Sequence, residues 1–257
     1  MGSYGVSVKI KYSLNLKKDM GIQKQQSEPK AMRQQLYISL KQNNCMQIIL
    51  TIFILLATII AILLLLWKFF FLRNPMPNIP NKNNVILSPA NGNIARIYEF
   101  KNEKQAKPII AEKGLFGKIP LITKDVAKEG YIILIRLHVY NVHWQRAPIA
   151  GTISTTNYVK GKFLNAVKDV KNMQCFFENE RNEIIIKGKI TCKVIQIAGY
   201  LARRIECFVK QGDKVDAGDI IGLINLGSQT ALIIPKIKLN VKEGDVLQVG
   251  ETIIGEM

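Results

Sequence analysis

A chain of 257 residues with 36 Lys and Arg against 19 Asp and Glu has a formal net charge of +17, which selects for anionic partners, either nucleic acid or an acidic membrane surface. No arginine-rich arm, zinc-finger spacing or aromatic RNA-binding motif accompanies that charge, so nucleic acid is not an expected partner. Four cysteines, Cys45, Cys175, Cys192 and Cys207, form no C-x-x-C pair and have no histidine at ligand spacing; this argues against a metal site or a disulfide framework and fits a reducing compartment.

Residues 1–46 hold eight Lys or Arg and two acids in a weakly patterned, Gln-rich stretch that is expected to be a disordered basic tail. Residues 48–67, "IILTIFILLATIIAILLLLW", then run without a charge, proline or glycine. At about 1.5 Å per residue, a helix of that length crosses a ~30 Å hydrocarbon core. Trp67 and the following "KFFFLR" supply an aromatic and basic interfacial anchor. The run starts too late and is too long for a signal peptide, so a transmembrane or membrane-anchoring helix is placed at 47–72. Basic residues on both sides leave the positive-inside rule undecided. The reducing environment inferred from the cysteines puts the downstream domain on the cytoplasmic face of the cell membrane.

Pro75, Pro77 and Pro80 make residues 73–84 a stiff linker, and a domain is expected over 85–257. Its segments "VILSPANGNIARIYEF", "YIILIRLHVYNVHW" and "NEIIIKGKITCKVIQIAG" are Ile- and Val-rich runs cut by Gly, Asn and Pro, the pattern of strands. Short helices are expected near Tyr200–Cys207 and Val126–Lys128. The fold class is therefore mainly β with a few short helices, behind an N-terminal membrane helix.

The last third contains a repeat. "VKQGDKVDAGDIIG" (209–222) and "VKEGDVLQVGETIIG" (241–255) share V-K-x-G-D and a later Gly before an acid and I-I-G. Each copy reads as strands joined by Gly-Asp turns, and the two are expected to pair into a C-terminal β unit of the lipoyl or barrel-sandwich type. The place of a modifiable lysine between the copies is taken by Gly227-Ser228, a pair that alone reads as a bulge or tight turn. The only histidines, His138 and His143, have no carboxylate at zinc spacing, and each read alone is structural.

Five pieces in order change that reading. "FFLRNPMPNIP", "LSPANGNI", "NVHWQRAPIAGTI", "VIQIAGYLARRIECFVKQGDKV" and "GLINLGSQTALIIP" together resemble the phosphatidylserine decarboxylase family over residues 70–257. The resemblance implies a proenzyme that cuts itself at Gly227-Ser228 into a large β chain and a small α chain. It also implies that Ser228 becomes a pyruvoyl group, which forms a Schiff base with phosphatidylserine and serves as electron sink for its decarboxylation to phosphatidylethanolamine. Neither PLP nor a metal is then needed. His143 matches the family histidine and is the candidate proton donor, while His138 lies outside the motif. Arg146 is a candidate for the substrate's carboxylate or phosphate. The chain departs from the family pattern at Asn91 and Asn141, where the family has Asp; a neutral amide is a poor base, and the group that activates Ser228 is left open. The implied partners are phosphatidylserine, an anionic membrane surface and the two chains of one precursor, with room for a homodimer. The competing reading, motivated by the two asparagines, is an unprocessed, non-catalytic membrane-tethered module of lipoyl type.

Overall fold

The computed structural model describes residues 30–101, 122–165, 173–200, 204–225 and 228–257. The chain divides into two compact units, Met1–Leu64 and Leu65–Met257. Helix α1 (Lys30–Leu66) has no buried residue, and with the π-helical turn Trp67–Phe71 it is long and apolar enough to cross a membrane. It begins at Lys30, so residues 30–46 of the expected tail are helical; residues 1–29 lie outside the described residues. The physical reason is that 30–46 contains Lys, Ala, Met, Arg, Gln and Leu with no Pro or Gly, so the helix of the apolar run extends back through good helix formers.

The second unit is built on strands β1 (Val85–Leu87), β2 (Gly92–Lys101), β3 (Glu129–Leu137), β4 (Trp144–Arg146), β5 (Gly151–Val159), β6 (Arg181–Lys187), β7 (Thr191–Ile197), β8 (Ile205–Cys207), β9 (Lys214–Val215), β10 (Ile220–Ile224), β11 (Ser228–Pro235), β12 (Lys238–Leu239), β13 (Val246–Leu247) and β14 (Ile253–Glu256). A short helix, α2 (Gln174–Glu178), precedes β6. The helix expected near Tyr200–Cys207 is corrected at its described end: Ile205–Cys207 is strand β8, because β10 offers it an antiparallel ladder. Residues 201–203 lie outside the described residues.

Eight strands form one antiparallel sheet in the order β13-β2-β3-β11-β7-β6-β5-β9, and two three-stranded sheets, β4-β10-β8 and β1-β14-β12, complete the unit. The large sheet reads the same from both ends. The two repeat copies do not pair with each other; β9 of the first closes the sheet on β5, and β13 of the second closes it on β2. Their backbone bonds correspond one for one. Ile153 N donates to Asp213 O (2.8 Å) and Gly212 N to Ile153 O (2.9 Å), as Ile94 N does to Asp245 O (2.9 Å) and Gly244 N to Ile94 O (2.8 Å). The segments "SPANGNI" (88–94) and "APIAGTI" (147–153) are likewise equivalent, and they exchange reciprocal bonds, Leu87 N to Pro148 O (2.9 Å) and Arg146 N to Pro89 O (3.0 Å). The domain is thus a pseudo-twofold pair of halves.

The halves are not in tandem. One is the continuous segment 144–224, and the other is split into 85–137 and 228–256. In the continuous half, β6 and β7 are joined by the tight turn 188–190. In the split half, the equivalent strands β3 and β11 pair along eight residues, and the whole other half is inserted between them. The inserted half is joined through residues 138–143 and 225–227.

Side chains alternate across the sheet, as extended strands require. Ile133, Ile135, Ile184, Val194, Leu232 and Ile234 face the main core with Ile86, Ala147, Ile221 and Ile254. Ile132, Leu134, Ile195, Ala231 and Ile233 face a second core, which Ile122 covers from the β2–β3 connection and Met173 and Phe176 cover from the β5–β6 connection.

Candidate functional site

The sequence-predicted residues lie on or beside the two connections to the inserted half. Ser228 is the first residue of β11, lies opposite Leu137 at the end of β3, and is fully buried. Its Oγ has no hydrogen-bond partner among the described residues. Leu226 and Gly227 lie outside the described residues, so the Gly227-Ser228 bond is described from the Ser228 side alone. From Leu137 the chain runs through His138 to His143, whose carbonyl accepts a hydrogen bond from Ile224 N (3.2 Å), four residues before Ser228.

His143 is fully buried. Its Nδ1 lies 2.8 Å from the carbonyl of Asn141. A carbonyl only accepts, so Nδ1 carries the proton and Nε2 presents a lone pair. Nε2 is buried and has no partner among the described residues. Burial lowers the pKa of His143 to about 4; the Asn141 bond opposes this shift and the nearby Arg73 charge adds to it. The ring is therefore neutral at neutral pH, in the tautomer of a base. His138 is half-buried and stacks on Tyr140, with ring centroids 5.3 Å apart.

Asn91 and Asn141 bond to each other. Asn141 Oδ1 accepts from His138 N (2.8 Å), which fixes its Nδ2 as donor to Asn91 Oδ1 (2.7 Å). Two carboxylates at this separation would repel or share a proton, whereas two amides make an ordinary bond. The two asparagines singled out in the sequence are thus each other's partners. Their bond also fixes the 138–141 turn that carries His143.

Arg146 is buried and braces the linker. Its Nη1 donates to Gly218 O (2.7 Å) and its Nη2 to Asn74 Oδ1 (2.8 Å). An open cleft of about 470 Å³ runs past Arg146, Asp213, Lys214 and Asp219 and includes neither Ser228 nor His143. The juxtamembrane turn packs directly on the candidate site: the Phe71 ring lies 4.2 Å from the His143 ring, and Trp67 stacks on Phe71 at 4.6 Å. Trp144 Nε1 donates to Leu72 O (3.2 Å), and Arg73 donates to Tyr140 O.

Three groups were not predicted. A buried chain of amides runs from Asn182 Nδ2 to Gln196 Oε1 (2.9 Å), from Gln196 Nε2 to Gln145 Oε1 (3.0 Å), and from Gln145 Nε2 to His143 O (2.8 Å). Thr230 Oγ1 and Asn225 Oδ1, on either side of Ser228 in sequence, are buried without partners. The only sequence signal for Gln196 and Thr230 is a polar residue inside an otherwise apolar strand. Among the described residues, no cluster of His, Cys, Asp and Glu could hold a metal ion.

Residues 64–255 match the family model described as phosphatidylserine decarboxylase. The chain is 37% identical over 191 residues to a phosphatidylserine decarboxylase proenzyme of Wolbachia pipientis wMel, covering 73% of this chain and 74% of that protein. It is 37% identical over 194 residues to a putative archaetidylserine decarboxylase proenzyme of Methanocaldococcus jannaschii, covering 74% of this chain and 90% of the relative. A phosphatidylserine decarboxylase proenzyme of Saccharopolyspora erythraea is 34% identical over 204 residues, covering 78% of each chain. With this match over most of its length, the chain belongs to the phosphatidylserine decarboxylase family.

Proposed function

We propose that the protein is a self-processing, membrane-anchored decarboxylase of serine phospholipids, with phosphatidylserine as substrate and phosphatidylethanolamine as product. The observation that carries this reading is a pair of buried, unpartnered atoms, Ser228 Oγ and His143 Nε2, on two adjacent chain connections. A buried hydroxyl and imidazole without partners are costly to a fold and are retained where chemistry uses them. The relatives named for phosphatidylserine and archaetidylserine point to the shared serine-phosphate headgroup as the recognised part. The apolar helix and the net charge of +17 support attachment to an anionic membrane, with the domain on its cytoplasmic side.

His143 Nε2 takes the proton from Ser228 Oγ as that oxygen attacks the carbonyl of residue 227, and it returns the proton to the nitrogen of residue 228 as the C–N bond breaks. An ester then links the two parts of the chain. Loss of the Cα proton and cleavage of the Cβ–Oγ bond release residues 1–227 as a carboxylate. Hydrolysis of the residual enamine releases ammonia and leaves a pyruvoyl group at position 228. The site fits that group: it grows from a side chain already buried at the head of a central strand, beside unpartnered polar atoms. Once formed, its carbonyl supplies the electron sink for decarboxylation. His143 Nε2 takes a proton from the substrate's ammonium group as that amine enters the site, and is then the chain's candidate donor of that proton to the carbon that carbon dioxide leaves. The fixed tautomer gives His143 two duties, so cleavage and turnover both depend on it. The two halves are read as a pair of barrel-sandwich-like units, and β11 keeps the small chain within the sheet.

Mass spectrometry of the purified protein tests the proposal. The expected result is a large chain ending at Gly227 and a 30-residue partner with a blocked N-terminus, with Ser228→Ala remaining whole. Wild-type protein that stays intact after incubation with phosphatidylserine vesicles would return the reading to a non-catalytic module.

A further inference from the structure

One buried hydroxyl below Ser228 has no use in the fold. Asn182, Gln196 and Thr230 occupy a single level of the large sheet, Asn182 opposite Gln196 and Gln196 opposite Thr230. All three share the face of Ile184, Val194 and Leu232, which is otherwise an apolar core surface. The amides of Asn182 and Gln196 are engaged in the chain that ends on His143 O. Thr230 Oγ1 is fully buried and meets no donor or acceptor among the described residues. Valine has the same shape, suits a strand equally well and carries no hydroxyl to leave unmet. Thr230 is two residues beyond Ser228 on the same face of the strand, about 7 Å along it.

We infer that Thr230 is a substrate-binding residue whose hydroxyl donates a hydrogen bond to the carboxylate of the serine headgroup held by its amine at residue 228. The inference rests on the decarboxylase reading above. The carboxylate is the group that must lose its charge as carbon dioxide departs. A cation beside it would stabilise the ground state more than the transition state. A neutral hydroxyl, flanked across the sheet by Ile135 and Gln196, orients the carboxylate without that penalty. This explains why a donor here is a threonine and why Arg146, engaged with Gly218 and Asn74, is not needed for the task.

The test compares wild type, Thr230→Val and Thr230→Ser as full-length proteins. Self-cleavage does not involve the substrate, so Thr230→Val is expected to cleave to the same extent and to melt no lower than wild type. With phosphatidylserine vesicles its kcat/KM should fall about 10- to 100-fold, the loss of one hydrogen bond to a charged group. Inhibition by phosphatidylethanolamine, which has the amine and phosphate but no carboxylate, should change less than about twofold. Thr230→Ser should restore most of the activity. Unchanged kcat/KM in Thr230→Val, equal losses for both lipids, or failure to cleave would each overturn the assignment. A wild-type protein that neither cleaves nor releases carbon dioxide would overturn the decarboxylase reading with it, whereas an active wild type with an indifferent Thr230→Val would sink only the role of Thr230.

Discussion

His143 is held so that it gains a proton with difficulty and parts with one readily, and this has a measurable pH signature. The unfolded chain protonates its histidine near 6.5, the folded chain near 4. Between those values the unfolded state binds the extra proton, so stability is lost as pH falls from about 6.5 to about 4 and is unaffected by this group above 7. The loss is on the order of 3 kcal/mol. Denaturant titrations at pH 7 and pH 5 should show about 2 kcal/mol of it in wild type and less in His143→Gln. The same variant should slow self-cleavage by at least about 100-fold, while the wild-type cleavage rate should stay flat from pH 6 to 8. A cleavage rate that rises tenfold across pH 6 to 7 would mean that a group with an ordinary histidine pKa controls the step. At this scale the sequence singles out residues that the fold places near the two connections, and it does not show the bonds each one makes. Nothing in "NVHWQRAP" shows that both terminal nitrogens of Arg146 bond inside the chain, to Gly218 O and Asn74 Oδ1. The pairing of Asn91 with Asn141 spans 50 residues and was likewise hidden.

Two glycines set how closely strands approach at equivalent points of the two halves. A Cβ on Gly92 would lie 2.2 Å from the carbonyl oxygen of Arg136, and one on Gly151 would lie 2.5 Å from that of Lys187. Both obstacles are backbone and cannot swing away. Gly92→Ala and Gly151→Ala should therefore each cost roughly 3 kcal/mol, read as a lower denaturant midpoint. Gly92→Ala should also slow self-cleavage, since it pushes on β3 one residue before Leu137, the partner of Ser228. Strands with strong Ile and Val patterning were legible from sequence because burial on both faces leaves long apolar runs. The V-K-x-G-D repeat was legible because its Gly-Asp turns recur in one order. Its larger context was not: "SPANGNI" and "APIAGTI" share only Pro, Gly and Ile, and the insertion of one half into the other scrambles the order in which equivalents appear. The amide chain through Gln196 was invisible for a different reason. A glutamine in an apolar strand looks the same whether its neighbour across the sheet is water or another amide.

At the scale of the molecule, the small chain expected from cleavage, residues 228–257, is not a peripheral piece. Its β11 lies between β3 and β7 at the centre of the large sheet, and its β13 and β14 pair with β2 and β1 of the large chain. The two chains should co-elute in size-exclusion chromatography at low and high salt alike, because ladders and apolar contacts hold them, and separate only in denaturant. Separation of the chains by 1 M salt alone would show that charge, rather than the sheet, joins them. A cut at the proposed place, between Gly227 and Ser228, would also govern recovery after damage. The uncut precursor folds as a unimolecular process, with every strand tethered to its partner. Once cut, the protein keeps all its contacts yet can regain them after unfolding only by a second-order encounter between two fragments, one of them 30 residues long. The mature protein is then protected by the slowness of its unfolding rather than by reversibility, and each molecule passes through its folding equilibrium before cleavage and not after.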